Sequence, residues 1–133
     1  MNPDRGRLAL LEAARAARLK AVAPYSHFLV GAALETLEGQ IITGCNIENA
    51  TYGLTVCAER VALFKAISEG HRQFRQIAVV ADTAEPTPPC GACRQLLWEF
   101  AGDVPVILGN LTDFKAVHQL SALFPHPFDR RLL

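Results

Sequence analysis

No run of apolar residues in this chain approaches the ~20 residues that a bilayer span needs. The one apolar cluster near the start, Leu8-Ala9-Leu10-Leu11, is broken by Glu12 and Arg15 instead of forming a secretory core. Net charge is missing too. Thirteen basic and thirteen acidic residues cancel and are spread along the chain, which removes the electrostatic case for a polynucleotide or an anionic membrane as partner. A small, uncharged molecule is left as the default ligand. There is no glycine-rich phosphate loop, internal repeat or low-complexity segment, and none of the four histidines has ligand spacing to another histidine or to a cysteine. The expectation is a soluble cytoplasmic protein with reduced thiols, because a Cys-x-x-Cys pair without an export signal more often binds metal or is redox-active than it is disulfide-bonded.

The 133 residues suit a single domain, 1–133, with a core of ordinary size that needs no disulfide to stabilise it. Leu8, Leu11, Arg15 and Leu19 have helical spacing and predict a helix over 4–23 that Pro24 stops. Two short strands, 28–34 and 40–45, flank Glu38-Gly39 as a hairpin, and 46–53 is polar and reads as a loop. Helices follow over 55–68 and 93–100, with a buried strand over 77–81 and a proline-rich loop over 82–89 between them. Residues 104–108 read as a strand whose Pro105 marks an edge or a strand start, and 113–123 as a last helix. Strands alternating with helices indicate an α/β sheet covered on both faces.

What the chain does contain is Cys57-Ala58-Glu59 and, 33 residues after Cys57, Pro89-Cys90-Gly91-Ala92-Cys93. Three of the four cysteines thus make a ligand set for zinc that leaves a fourth position for water, as in catalytic rather than closed structural sites. Both segments fall at predicted helix N-termini, where free N–H groups and the helix dipole favour thiolates. If the two helices open toward one point from adjacent parallel strands, Cys57 meets Cys90 and Cys93. Three thiolates around one divalent ion leave it over-negative, and Arg60 and Arg94, each beside a motif residue, can offset this by donating to the sulfurs. Glu59 can take a proton from a zinc-activated water without ligating the metal, the role of a general acid and base. Cys45 is left over, either a small apolar filler or a fourth ligand that would close the site.

The paired motif has the form described for zinc-dependent nucleobase deaminases. More of the chain resembles the small, homotetrameric cytidine deaminases, from Pro24-Tyr25-Ser26-His27-Phe28 through Gly44-Cys45-Asn46-Ile47-Glu48-Asn49-Ala50 to Cys93-Arg94-Gln95, which covers residues 24 to about 100. That resemblance implies a three-layer α/β/α sandwich with a mixed, mostly five-stranded sheet. It implies one zinc per subunit and hydrolysis of cytidine and deoxycytidine to uridine and deoxyuridine with release of ammonia, in pyrimidine salvage. It further implies that Phe28 lies against the pyrimidine, that Asn46 and Glu48 bind the ribose, that Ala58 contacts substrate, and that Phe128 and Tyr52 reach across a subunit interface. The expected partners are a free nucleoside and further copies of the chain in a tetramer, with no nucleic acid and no membrane.

Two other readings stay open on the residues alone. The same zinc chemistry serves adenosine in a tRNA, cytosine in a polynucleotide or an aminoacyl-nucleoside antibiotic, and only the periphery of the site separates these. A zinc-stabilised interaction module or a redox protein would use the cysteines without hydrolysis, but leaves Glu59 without a purpose.

Overall fold

The computed structural model describes residues 3–85, 87–112 and 115–133. Helix α1 (Pro3–Arg18) is followed by strands β1 (Val30–Thr36) and β2 (Ile41–Cys45), helix α2 (Ala58–Ser68), strand β3 (Phe74–Ala81), helix α3 (Gly91–Ala101), strands β4 (Pro105–Gly109) and β5 (Lys115–Gln119), and the short helix α4 (Leu120–Leu123). The five strands form one sheet in the order β2-β1-β3-β4-β5. The β3–β4 pair is parallel and the other three pairs are antiparallel. The sheet is therefore mixed, with α1 on one face and the remaining helices on the other, the three layers expected.

Alternation along the central strands builds both cores. Ala33, Ala78, Val80 and Ile107 face α1 and bury its Leu10, Leu11 and Ala14, while Ala32, Leu34, Ile77, Val79, Val106 and Leu108 face the opposite way, against Ala62 and Leu63 of α2 and Leu97 of α3. Two glycines let the helices come close. A Cβ on Gly31 would lie 1.9 Å from the Ala14 carbonyl oxygen, and one on Gly44 would lie 2.5 Å from the Ala58 carbonyl oxygen. Neither could be accommodated without moving a helix off the sheet.

Three expectations need correction, and one, for Pro105, is narrowed to one of its two alternatives. The first helix ends at Arg18, because the chain beyond it straightens: Val22 N donates to Asn46 O at 3.0 Å and Val22 O accepts from Glu48 N at 2.8 Å. Of the last expected helix, 115–119 is strand β5 and only Leu120–Leu123 is helical, while 113 and 114 lie outside the described residues. Backbone pairing along β4 overrides a helical spacing that a mostly exposed strand could not contradict with any alternation of its own. Of the two alternatives for Pro105, the strand start holds: it begins β4, whose outer side is covered by β5. Finally, β2 and β3, which lead into α2 and α3, are parallel but separated by β1 rather than adjacent.

Among the described residues no helix is long and apolar enough to cross a membrane. Gly31→Ala is expected to lower the unfolding free energy by about 1–3 kcal/mol through overpacking under α1. Gly6→Ala in the same helix, where an added Cβ meets nothing within 4 Å, is expected to raise it by about 0.5–1 kcal/mol. Urea unfolding of the two variants checks both signs.

Candidate active site

The polypeptide enters α2 through extended residues. Val56 bridges Ile47, and Cys57 is the N-cap with φ −73° and ψ 154°, so the helix starts at Ala58 rather than at Thr55. Cys90 is the N-cap of α3 with φ −67° and ψ 167°. Neither thiol is spent on capping its own helix, which leaves both sulfurs available to a ligand at the positive end of the dipole. Cys93 follows one turn into α3 and is buried.

These two helix ends bring the Sγ atoms of Cys57, Cys90 and Cys93 within 4.8 Å of one another, with 3.8 Å between Cys57 and Cys90. Tetrahedral zinc about 2.3 Å from each sulfur sets neighbouring sulfurs about 3.8 Å apart. The donor set and its spacing therefore fit the ion. Cys45, at the end of β2, is a half-buried free thiol outside this group. Arg60 Nη2 lies 3.6 Å from Cys57 Sγ. The Cys57 thiol is held down to about 5, first by the hydrogen bond it receives from Cys93 and also by Arg60. The same bond, together with burial, pushes the Cys93 thiol up.

Glu59 stands in the first turn of α2 and is only 5% exposed. Burial pushes its carboxyl above the usual carboxylate range, and the negative charge of Cys57 adds to the effect. A carboxyl that burial makes less willing to ionise can hold a proton as well as release one, as general acid-base work requires. Phe28, Asn46, Cys57, Ala58, Glu59 and Cys90 line a single cavity of about 200 Å3. Asn46 is itself engaged with the backbone: its Nδ2 donates to Phe28 O and its Oδ1 accepts from Val30 N, each at 2.8 Å.

Residues 6–109 match the family described as the cytidine and deoxycytidylate deaminase zinc-binding region. The chain belongs to that family. The cytidine deaminase of Halalkalibacterium halodurans is 55% identical over 120 residues, 90% of this chain and 91% of the relative. That of Sporosarcina psychrophila is 49% identical over 122 residues, 91% of this chain and 90% of the relative. The crystal structure of cytidine deaminase from Burkholderia pseudomallei superposes with a TM-score of 0.89 at 49% identity, covering 96% of this chain and 100% of that one. Membership in this deaminase family accounts for the three sulfurs as a zinc site.

The remaining candidates lie around that cavity or away from it. Glu48 and Tyr52 line an adjoining depression of about 370 Å3 with Tyr25, Ser26 and Thr55, and Thr55 also borders the cysteine cavity. Tyr52 is 75% exposed and meets Tyr25 edge to face, with ring centroids 6.0 Å apart. Phe128 lines neither space and is 57% exposed. Arg94 requires a correction: its Nε donates to Pro89 O at 2.7 Å and its Nη1 to Leu123 O at 2.6 Å, so it braces the loop before Cys90 and the C-terminal segment rather than a sulfur. One turn around it, Gln95 Nε2 donates to Phe128 O and Trp98 Nε1 to Asp129 Oδ2.

The sequence reading missed Thr87 and Pro88, which line the cysteine cavity from the proline-rich loop, and Ser26, whose hydroxyl donates to Glu48 Oε2. The position of the loop just before Cys90 was the available signal for the first two. Arg60→Gln is expected to weaken zinc retention by about 10- to 100-fold, measured as residual zinc after graded chelation. The same treatment of Arg94→Gln should lose less, because that side chain reaches carbonyls.

Proposed function

We propose that this protein is a zinc-dependent cytidine deaminase that hydrolyses cytidine and deoxycytidine to uridine and deoxyuridine, releasing ammonia. The observation that carries the reading is Glu59, a buried carboxyl with a raised pKa on the same small cavity as two of the clustered cysteines and Phe28. Cys57, Cys90 and Cys93 hold the metal. When bound, the ion supplies a Lewis-acid centre that makes water nucleophilic at neutral pH. Glu59 takes a proton from the water as its oxygen adds to C4, and passes that proton to ring N3. It then takes the second proton of the water and delivers it to the exocyclic amine, so that the C4–N bond breaks with ammonia as leaving group and the pyrimidine becomes a uracil. Phe28 holds the base by its aromatic face, which contributes roughly 0.5–1.5 kcal/mol beyond burial, and Ala58 closes the cavity wall.

Asn46 and Glu48 bind the ribose. Three donors from Tyr25 and Ser26 keep Glu48 anionic, the Ser26 hydroxyl first among them, with its pKa below the usual carboxylate range. A carboxylate at the 3′ side accepts a free hydroxyl and repels a phosphate, so the substrate is a nucleoside rather than a strand. A zero net charge supports the same choice. Exposed aromatics at Tyr25, Tyr52 and Phe128 support a homo-oligomer, a tetramer in which Tyr52 and Phe128 serve a neighbouring subunit's site. The setting is cytoplasmic pyrimidine salvage, without nucleic acid or membrane partners.

Purified protein supplied with zinc is expected to convert cytidine to uridine, followed by ultraviolet absorbance, and no turnover would overturn the reading. Glu59→Gln should keep its zinc and its fold while losing about 10²- to 10⁴-fold in kcat. Cytosine and cytidine 3′-monophosphate should both be poorer substrates than cytidine, the first for want of a ribose and the second through repulsion of its phosphate by Glu48. A kinetic comparison of the three checks the assignment of Asn46 and Glu48.

A further inference from the structure

Phe28 sits at the end of a turn in which each backbone amide from Tyr25 to Phe28 is held, that of His27 by Ala23 O at 2.9 Å. Glu48 Oε1 accepts from Tyr25 N at 2.9 Å and Ser26 N at 3.1 Å, and its Oε2 accepts from the Ser26 hydroxyl. That hydroxyl in turn accepts from Phe28 N at 3.0 Å, while Phe28 O accepts from Asn46 Nδ2 at 2.8 Å. Between Ser26 and Phe28 lies His27 with φ 59°, a left-handed conformation that non-glycine residues hold only when their surroundings enforce it. A serine hydroxyl has one proton to give, and here it is given to Glu48 while the oxygen receives the Phe28 amide. Among the described residues, the Ser26 hydroxyl is thus the single side-chain link between Glu48 and the backbone of Phe28.

The geometry points to Ser26 as a positioning residue that clasps the base-stacking Phe28 to the ribose-binding Glu48, so that base and sugar are recognised by one rigid turn. This rests on the proposed roles of Phe28 and Glu48. Ser26 has no place in the proton transfers, since the cysteine cavity does not include it. Its contribution is to hold the Phe28 ring in place and the carboxylate oriented before substrate arrives, which lowers the ordering cost of binding. The strain at His27 is what the clasp opposes. Without the hydroxyl, Glu48 keeps only the two backbone donors to its Oε1, and Phe28 N loses its acceptor.

Ser26→Ala in the zinc-loaded enzyme is the test, because the side chain is exposed and its removal leaves no cavity. The KM for cytidine is expected to rise about tenfold, equivalent to about 1.4 kcal/mol, with kcat within about threefold of wild type. For 3′-deoxycytidine, which offers Glu48 no hydroxyl, the rise is expected to be roughly threefold. Ser26→Thr, which keeps the hydroxyl, should restore most of the cytidine KM. In the substrate-free enzyme, the Phe28 amide of Ser26→Ala should exchange with solvent roughly tenfold faster, because it has lost its acceptor. This last readout does not depend on cytidine being the substrate. An unchanged KM together with unchanged Phe28 exchange, or a fall in kcat at constant KM, would overturn the clasp and leave the deaminase reading standing.

Discussion

Three sulfurs can share one ion here only because two helices begin at the same point in space. Cys57 and Cys90 cap α2 and α3, and their sulfurs stand 3.8 Å apart although they follow strands separated by β1. The distance depends on how closely α2 lies on the sheet. Gly44, directly beneath Ala58 and Ala62, fixes that approach, because any side chain there would meet helix backbone at 2.5 Å, well inside van der Waals contact. The position of Glu59, one residue into the same helix, follows from the same packing.

Electrostatically, the site gathers acidic groups at short range. Two helix N-termini and the Arg60 guanidinium supply positive potential, while the Cys57 charge and burial make Glu59 reluctant to ionise. The thiol and the carboxyl are therefore pushed in opposite directions within three residues of sequence. The physical difference lies in what each group meets: burial dominates at Glu59, which is almost wholly removed from solvent, whereas at half-buried Cys57 the hydrogen bond from Cys93, with Arg60 beside it, outweighs burial. A ligand and a proton carrier are obtained from neighbouring positions by environment alone.

Much of this was legible in the sequence, since the metal motif is short-range and helix starts carry local signals. Cys57 and Cys90 sit at helix N-termini as their spacing predicts, and the central strands alternate as buried strands must. The failures have a common physical cause. Strand β5 lies at the sheet edge with little of it buried, so no period-two pattern marks it, and its pairing to β4 is a long-range fact. Arg94 likewise could be placed beside Cys93 by sequence but not aimed. Its direction depends on Pro89 and on Leu123, which is 29 residues away. The clasp at Ser26 joins positions 22 residues apart, and motif spacing carries no information about a hydrogen bond of that kind.

Helix α3 has a second load besides Cys90 and Cys93. Arg94, Gln95 and Trp98 hold the carbonyls of Leu123 and Phe128 and the carboxylate of Asp129, so the C-terminal segment is anchored along the flank of the same helix whose start carries two sulfurs. The helix that presents two sulfurs at its start therefore also carries the docking groups for the tail along its flank, on the face of the sheet opposite α1.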